Sequence, residues 1–101
     1  MIKLTSDNFK QEVTEYKGKV LVDFFATWCG PCKMLSPVLE KLSEEVEEIK
    51  FASVNVDEEV ALAMAFKVSA IPTVILFENG VAVEKFMGYR DEDAVKEFLG
   101  L

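Results

Sequence analysis

Two periods of apolar residues alternate along this chain, and the places where one gives way to the other mark its elements. Phe9, Val13 and Tyr16 recur at i, i+4 and i+7 after Thr5-Ser6-Asp7, whose side-chain oxygens suit a helix N-cap. That spacing predicts a helix ended by Gly18. Val20-Leu21-Val22-Asp23-Phe24-Phe25-Ala26 then runs apolar on both parities, as a strand buried on both faces does. Beyond Cys29 the helical period returns, with Leu35, Leu39, Leu42 and Val46 in one stripe and Cys32 at its N-terminal end. Pro37 lies inside that stretch, removes one backbone donor and predicts a kink.

Phe51-Ala52-Ser53-Val54-Asn55-Val56 reads as the next strand, with Asp57 capping a short helix to about Phe66. Thr73-Val74-Ile75-Leu76-Phe77 and Val81 to Phe86 flank Glu78-Asn79-Gly80, and Asn-Gly between apolar runs predicts an antiparallel hairpin. Asp91 caps a last helix that carries Val95, Phe98 and Leu99 on one face. Strand–helix–strand units closed by a hairpin and a helix predict an α/β fold, a mixed sheet with helices on both faces.

At 101 residues the chain has room for one domain, residues 1–101, and for a core that holds without disulfides. Half the residues are hydrophobic and 29% are charged, as in soluble globular proteins. The net charge of −7 works against nucleic acid and anionic membrane surfaces as partners. Met1-Ile2-Lys3-Leu4-Thr5-Ser6-Asp7 carries no apolar signal core, and no apolar run approaches a membrane span. With only two cysteines, set three apart, a cytoplasmic location is expected.

Cys29-Gly30-Pro31-Cys32 follows a strand and opens a helix, so the cysteines share a helix face at disulfide range. Unpaired N–H groups and the partial positive charge of a helix N-terminus favour the thiolate, the form that attacks a disulfide. Cys29, at the exposed start, suits the nucleophile, and Cys32, on the inward stripe, the resolving thiol. Half of a zinc site has the same spacing, but no third cysteine and no histidine exists to complete one. Asp23 is the only charge within its seven-residue apolar run, where burial raises its pKa. Met34, Met64 and Met87 read as packing residues, although Met87 neighbours Gly88 and could edge a contact surface. Glu44-Glu45-Val46-Glu47-Glu48 reads as a solvated helix face with Val46 inward.

The stretch Val22-Asp23-Phe24-Phe25-Ala26-Thr27-Trp28-Cys29-Gly30-Pro31-Cys32-Lys33 resembles the active-site segment of the thioredoxin family. Ile71-Pro72-Thr73, the Phe77-Glu78-Asn79-Gly80 turn and Gly88 follow in matching order and spacing, so the resemblance spans essentially the whole chain. It implies a five-stranded sheet with about four helices. It also implies a protein disulfide reductase that is recycled by thioredoxin reductase and acts on disulfide-containing client proteins as a monomer. No cofactor or metal is implied beyond the Cys29–Cys32 couple. Asp23 would assist deprotonation of Cys32, and the Ile71–Pro72 bond would be cis and face the cysteines. Trp28, Ile71, Pro72 and Gly88 would form the substrate-binding surface, with Gly30, Pro31 and Pro72 modulating the pair. Two positions depart from the family pattern: Ser53 stands where many members carry a lysine near Asp23, and Phe25 where many carry a tryptophan.

Two other functions remain compatible with the residues. A thiol oxidase or isomerase of the same fold usually places histidine between its cysteines and would need secretion. A binding subunit that lends its surface to a larger complex would have no need of both cysteines and Asp23.

Overall fold

Lys19–Phe25 forms β2, and the rest of the sheet is assembled on its two edges. A computed structural model describes residues 1–101. Along one edge β2 pairs in parallel with β3 (Ile49–Asn55), and along the other antiparallel with β4 (Thr73–Glu78). β4 continues through a hairpin into β5 (Val81–Met87), and β1 (Ile2–Lys3) adds to β3 in parallel. The strand order is β1-β3-β2-β4-β5. Three α-helices, α1 (Gly30–Glu45), α2 (Val60–Ala65) and α3 (Glu92–Phe98), and one turn of π-helix at Lys10–Thr14 complete the chain.

The period-two alternation of β2 divides the core. Leu21 joins Leu35, Leu39 and Leu42 of α1, Val95 of α3 and Leu99 on one face of the sheet. Val20, Val22 and Phe24 join Leu4, Phe9, Val13 and Phe77 on the other. Phe66, just past α2, sits amid an aromatic group there, its ring centroid 5.2 Å from Phe9, 5.9 Å from Phe24 and 5.4 Å from Phe77. The mixed sheet and helical complement match the fold class read from the sequence.

Four local features differ from the periodicity. The first helix is a π-turn, closed by the Glu15 N–H on the Lys10 carbonyl at 2.8 Å. The Lys50 ammonium, 2.9 Å from Glu12 Oε1 and over the Tyr16 ring, takes the Glu12 carbonyl at 3.0 Å. The Tyr16 N–H, which an α-helix would aim at that carbonyl, bonds Val13 O instead. α1 runs through Pro37 as one sixteen-residue helix. Asp57 does not cap α2: the Asn55 side chain accepts the Asp57 N–H at 2.9 Å, and Asn55 O takes the next two N–H groups. β1 has only two residues, too few to leave a periodic signal.

The hairpin places Asn79 at φ 52° and Gly80 at φ 83°, the left-handed pair that a two-residue turn needs. A Cβ on Gly80 would collide with the Thr14 carbonyl oxygen at the end of the π-turn, whereas one on Gly88 would meet nothing within 4 Å. Gly80→Ala therefore combines left-handed strain with a backbone clash and should cost more than about 2 kcal/mol. Gly88→Ala, also at positive φ but in open space, should cost about 1 kcal/mol. Urea midpoints of the two variants check that order.

Candidate active site

The chain leaves β2 after Phe25 and turns within four residues into α1. Cys29 is the N-cap, with extended φ and ψ, and its sulfur accepts the Cys32 N–H at 3.2 Å. Pro31 occupies the first turn, where its missing N–H costs no helical bond and its fixed φ suits the helix. The cysteine Cα atoms are 5.2 Å apart and the pair is closed as a disulfide. Both sulfurs thus sit at the positive end of a sixteen-residue helix dipole.

In this oxidised state Cys29 is not the exposed partner. It is 5% exposed and Cys32 3%, because both pack with Ala26 under Phe25, Val56 and Ile71. What separates them is their surroundings. Cys29 lies between the exposed Trp28 and Gly30, with its sulfur 3.8 Å from the Ile71 carbonyl oxygen. Cys32 instead lines a cleft of about 320 Å³, together with Asp23, Lys33, Ser36, Glu40 and Ser53.

The Ile71–Pro72 bond is cis, as the resemblance implies. Thr73 Oγ1 donates to Ala70 O at 2.5 Å, and the Gly88 N–H donates to Pro72 O at 2.8 Å, which ties the end of β5 to this loop. Pro72 is buried, while Ile71 and Gly88 are half-buried. Trp28 is 69% exposed, and its indole N–H donates to Asp57 Oδ2 at 2.8 Å. Asp57 is the neighbour that the sequence reading misses. Its place after an apolar run suggested a cap, and nothing local announces a partner twenty-nine residues away. Met34, Met64 and Met87 are not packing residues: they are 60%, 73% and 56% exposed, on outward faces of α1, α2 and β5.

Asp23 is 3% exposed, and its Oδ1 has no hydrogen-bond partner. Burial raises its pKa from 3.8 to about 7, because the carboxylate loses water and gains no cation. Ser53 pairs with it across β2 and β3, so the strand that could have delivered an ammonium delivers a hydroxyl. No three His, Cys, Asp or Glu side chains gather to hold a metal ion.

A sequence model of the Thioredoxin family matches residues 1–100. The thioredoxin of Chlamydia caviae is 47% identical over 96 residues, 94% of this chain and 92% of that protein. That of Chlamydia pneumoniae is 45% identical over 100 residues, 98% of this chain and 92% of the relative. The mitochondrial thioredoxin of Mus musculus is 43% identical over 93 residues, 91% of this chain and 56% of the longer relative.

Asp23 gives stability a pH dependence whose sign follows from the raised pKa. The folded state holds the proton more tightly than the unfolded chain, so the group's favourable contribution is complete below about pH 4 and lost as pH rises to about 7. At about 1.4 kcal/mol for each tenfold in proton affinity, the loss is roughly 4 kcal/mol at most. Asp23→Asn should accordingly stabilise the fold by about 2–4 kcal/mol near pH 8 and by much less near pH 3.5. Urea melts of both proteins at the two pH values check this, and equal midpoints at the higher pH would mean that the carboxylate is solvated or paired.

Proposed function

This chain belongs to the thioredoxin family and is a thiol–disulfide oxidoreductase that works with its own cysteines, and we propose that Cys29 opens the reaction and Cys32 closes it. The carrying observation is the asymmetry around a symmetric bond. One sulfur adjoins an outward surface, and the other's residue shares a cleft with a buried carboxyl that has a free oxygen.

In the reduced protein the Cys29 thiolate is stabilised by the helix N-terminus, including the Cys32 N–H. It attacks one sulfur of a client disulfide, forming a Cys29–client bond, and the other client sulfur leaves as a thiolate that takes a proton. Asp23, with a pKa of about 7, accepts the Cys32 proton near neutrality. The Cys32 thiolate then attacks Cys29 Sγ, the second client thiolate leaves, and the Cys29–Cys32 disulfide re-forms. Two electrons have passed to the client.

The surface around Cys29 supports client binding by Trp28, Ile71, Pro72 and Gly88. Trp28 is exposed and held in place by Asp57, the Ile71 carbonyl adjoins the sulfur, and Gly88 leaves open space beside Pro72. Gly30 and Pro31 modulate the pair, one by leaving open space where a side chain would stand beside it and the other by fixing the first helical turn. Members of the family are recycled by thioredoxin reductase and donate to disulfide-bearing proteins. We place this chain in the cytoplasm as a monomer, since the site is complete within one chain and both cysteines belong to the redox pair. No helix is long and apolar enough to cross a membrane.

Cys29→Ser should abolish reduction of a model protein disulfide. Cys32→Ser should still attack and accumulate a mixed disulfide at Cys29, detectable by mass spectrometry. Preferential alkylation of Cys32 in the reduced wild type would reverse the assignment. Asp23→Asn should slow resolution and leave the first attack near its original rate, which single-turnover kinetics separates.

A further inference from the structure

Asp23 Oδ1 is a buried polar atom without a hydrogen-bond partner, and Asp23 lines the cleft of about 320 Å³ that Cys32 also lines. A buried acceptor left unpaired is costly, most of all when it carries a charge. The chain itself does not supply the missing partner. Lys33 lines the same cleft, but its side chain is exposed, and burial is the only cause of the raised Asp23 pKa. No cation of the protein therefore offsets the carboxylate. Across β2 and β3 the paired residue is the half-buried Ser53, a hydroxyl where a longer side chain could have ended in an ammonium.

The walls of the cleft select the kind of ligand that would fit. Lys33, Ser36 and Glu40, at i, i+3 and i+7 of α1, are exposed and form its mouth, whereas Asp23 is 3% exposed at its base. With Asp23 ionised, two carboxylates face one ammonium, so the cleft attracts a cation. Its volume is at the small end for ligand cavities. A divalent metal is a poor match, because no three His, Cys, Asp or Glu side chains gather to hold one. A primary ammonium asks for less. One carboxylate meets its charge, hydroxyl oxygens accept its other N–H groups, and apolar walls such as Phe25 and Ala26 cover its carbon chain.

We propose that this cleft binds short aliphatic primary amines, with the ammonium donating to Asp23 Oδ1 and Ser53 and the carbon chain lying against Phe25 and Ala26. None of Trp28, Ile71 and Gly88 lines the cleft, so the site is separate from the surface offered to clients. The amine competes with a proton for one oxygen, and a bound amine holds Asp23 ionised. Amine concentration would thereby act on the group that takes the Cys32 proton. Binding itself does not rest on the redox reading, since the cleft is present in the oxidised chain.

The test is calorimetric titration of the oxidised protein near pH 8 with n-butylammonium chloride, and with tetramethylammonium chloride at equal ionic strength. The second cation has the same charge and no N–H to donate. n-Butylammonium should bind one to one with a Kd on the order of 1 mM, and tetramethylammonium at least about tenfold more weakly. Asp23→Asn, which removes the charge and keeps the shape, should weaken n-butylammonium by about tenfold or more. Ser53→Lys, which brings an ammonium from the paired strand, should do the same. As a second readout, about 20 mM n-butylammonium should raise the wild-type urea midpoint and leave that of each variant unchanged. Equal binding of the two cations would reduce the effect to diffuse attraction by a chain of net charge −7. That result, a lack of saturable binding, or undiminished affinity in either variant would overturn the site. Asp23→Asn alone decides if Ser53→Lys shows no cooperative urea transition. No thiol reacts in these measurements, so their failure leaves the disulfide-reductase reading untouched.

Discussion

β2 is covered on both faces and hydrogen-bonded along both edges, and the rest of the molecule depends on that. Val20, Leu21, Val22 and Phe24 are fully buried, which contributes roughly 6–12 kcal/mol of apolar transfer. The same strand ends where the chain turns into α1, so the rigid centre of the fold aims the cysteine pair. Parallel pairing with β3 and antiparallel pairing with β4 bring two further segments to that end, the Asn55–Asp57 turn and the Ile71–Pro72 loop. Each supplies one neighbour to the site: Asp57 under the Trp28 indole, and the Ile71 carbonyl beside the Cys29 sulfur.

Burial of that strand also includes a carboxyl. Uncompensated desolvation of Asp23 costs up to about 4 kcal/mol once it is ionised, well below what the surrounding apolar side chains contribute. The strand can therefore hold a carboxyl without a cation and still keep five of its seven residues buried. Its pKa of about 7 is what the proposed proton transfer from Cys32 draws on, because a base that titrates near neutrality can both accept and release a proton. Ser53 in place of an ammonium makes this chain's carboxyl more basic than a paired one would be.

The oxidised pair is nearly symmetric in exposure and strongly asymmetric in its neighbours. What distinguishes the two sulfurs is thus what lies beside each rather than how much water reaches it. The outward side of the site carries the exposed Trp28, and the inward side the cleft that Cys32 shares with Asp23 and Ser53. The π-turn at Lys10–Thr14 has a structural part in this frame: its end packs against Gly80, and Lys50 ties it to β3.

Much of this was legible without coordinates because its causes are local. Period-two and period-3.6 patterns located the long strands and α1, Asn79-Gly80 located the hairpin, and Asp91 caps α3 as read, accepting the Ala94 N–H at 2.9 Å. The Cys29-Gly30-Pro31-Cys32 spacing named the disulfide pair, since three-residue spacing needs only a helix to assemble it, and the solitary Asp23 is buried with a raised pKa as read. Other features required tertiary structure because each depends on a partner far along the chain. Asp57 serves Trp28 rather than α2, and Lys50 pulls the Glu12 carbonyl out of an α-helical pattern. β1 pairs although it is too short to carry a period, and Met64 faces outward because Phe66, on the other side, takes the place in the core. Residue order alone determined which side chains could react; the pairing of β2 with β3 and β4 decided their neighbours, because contacts across a sheet are set by register rather than by distance along the chain.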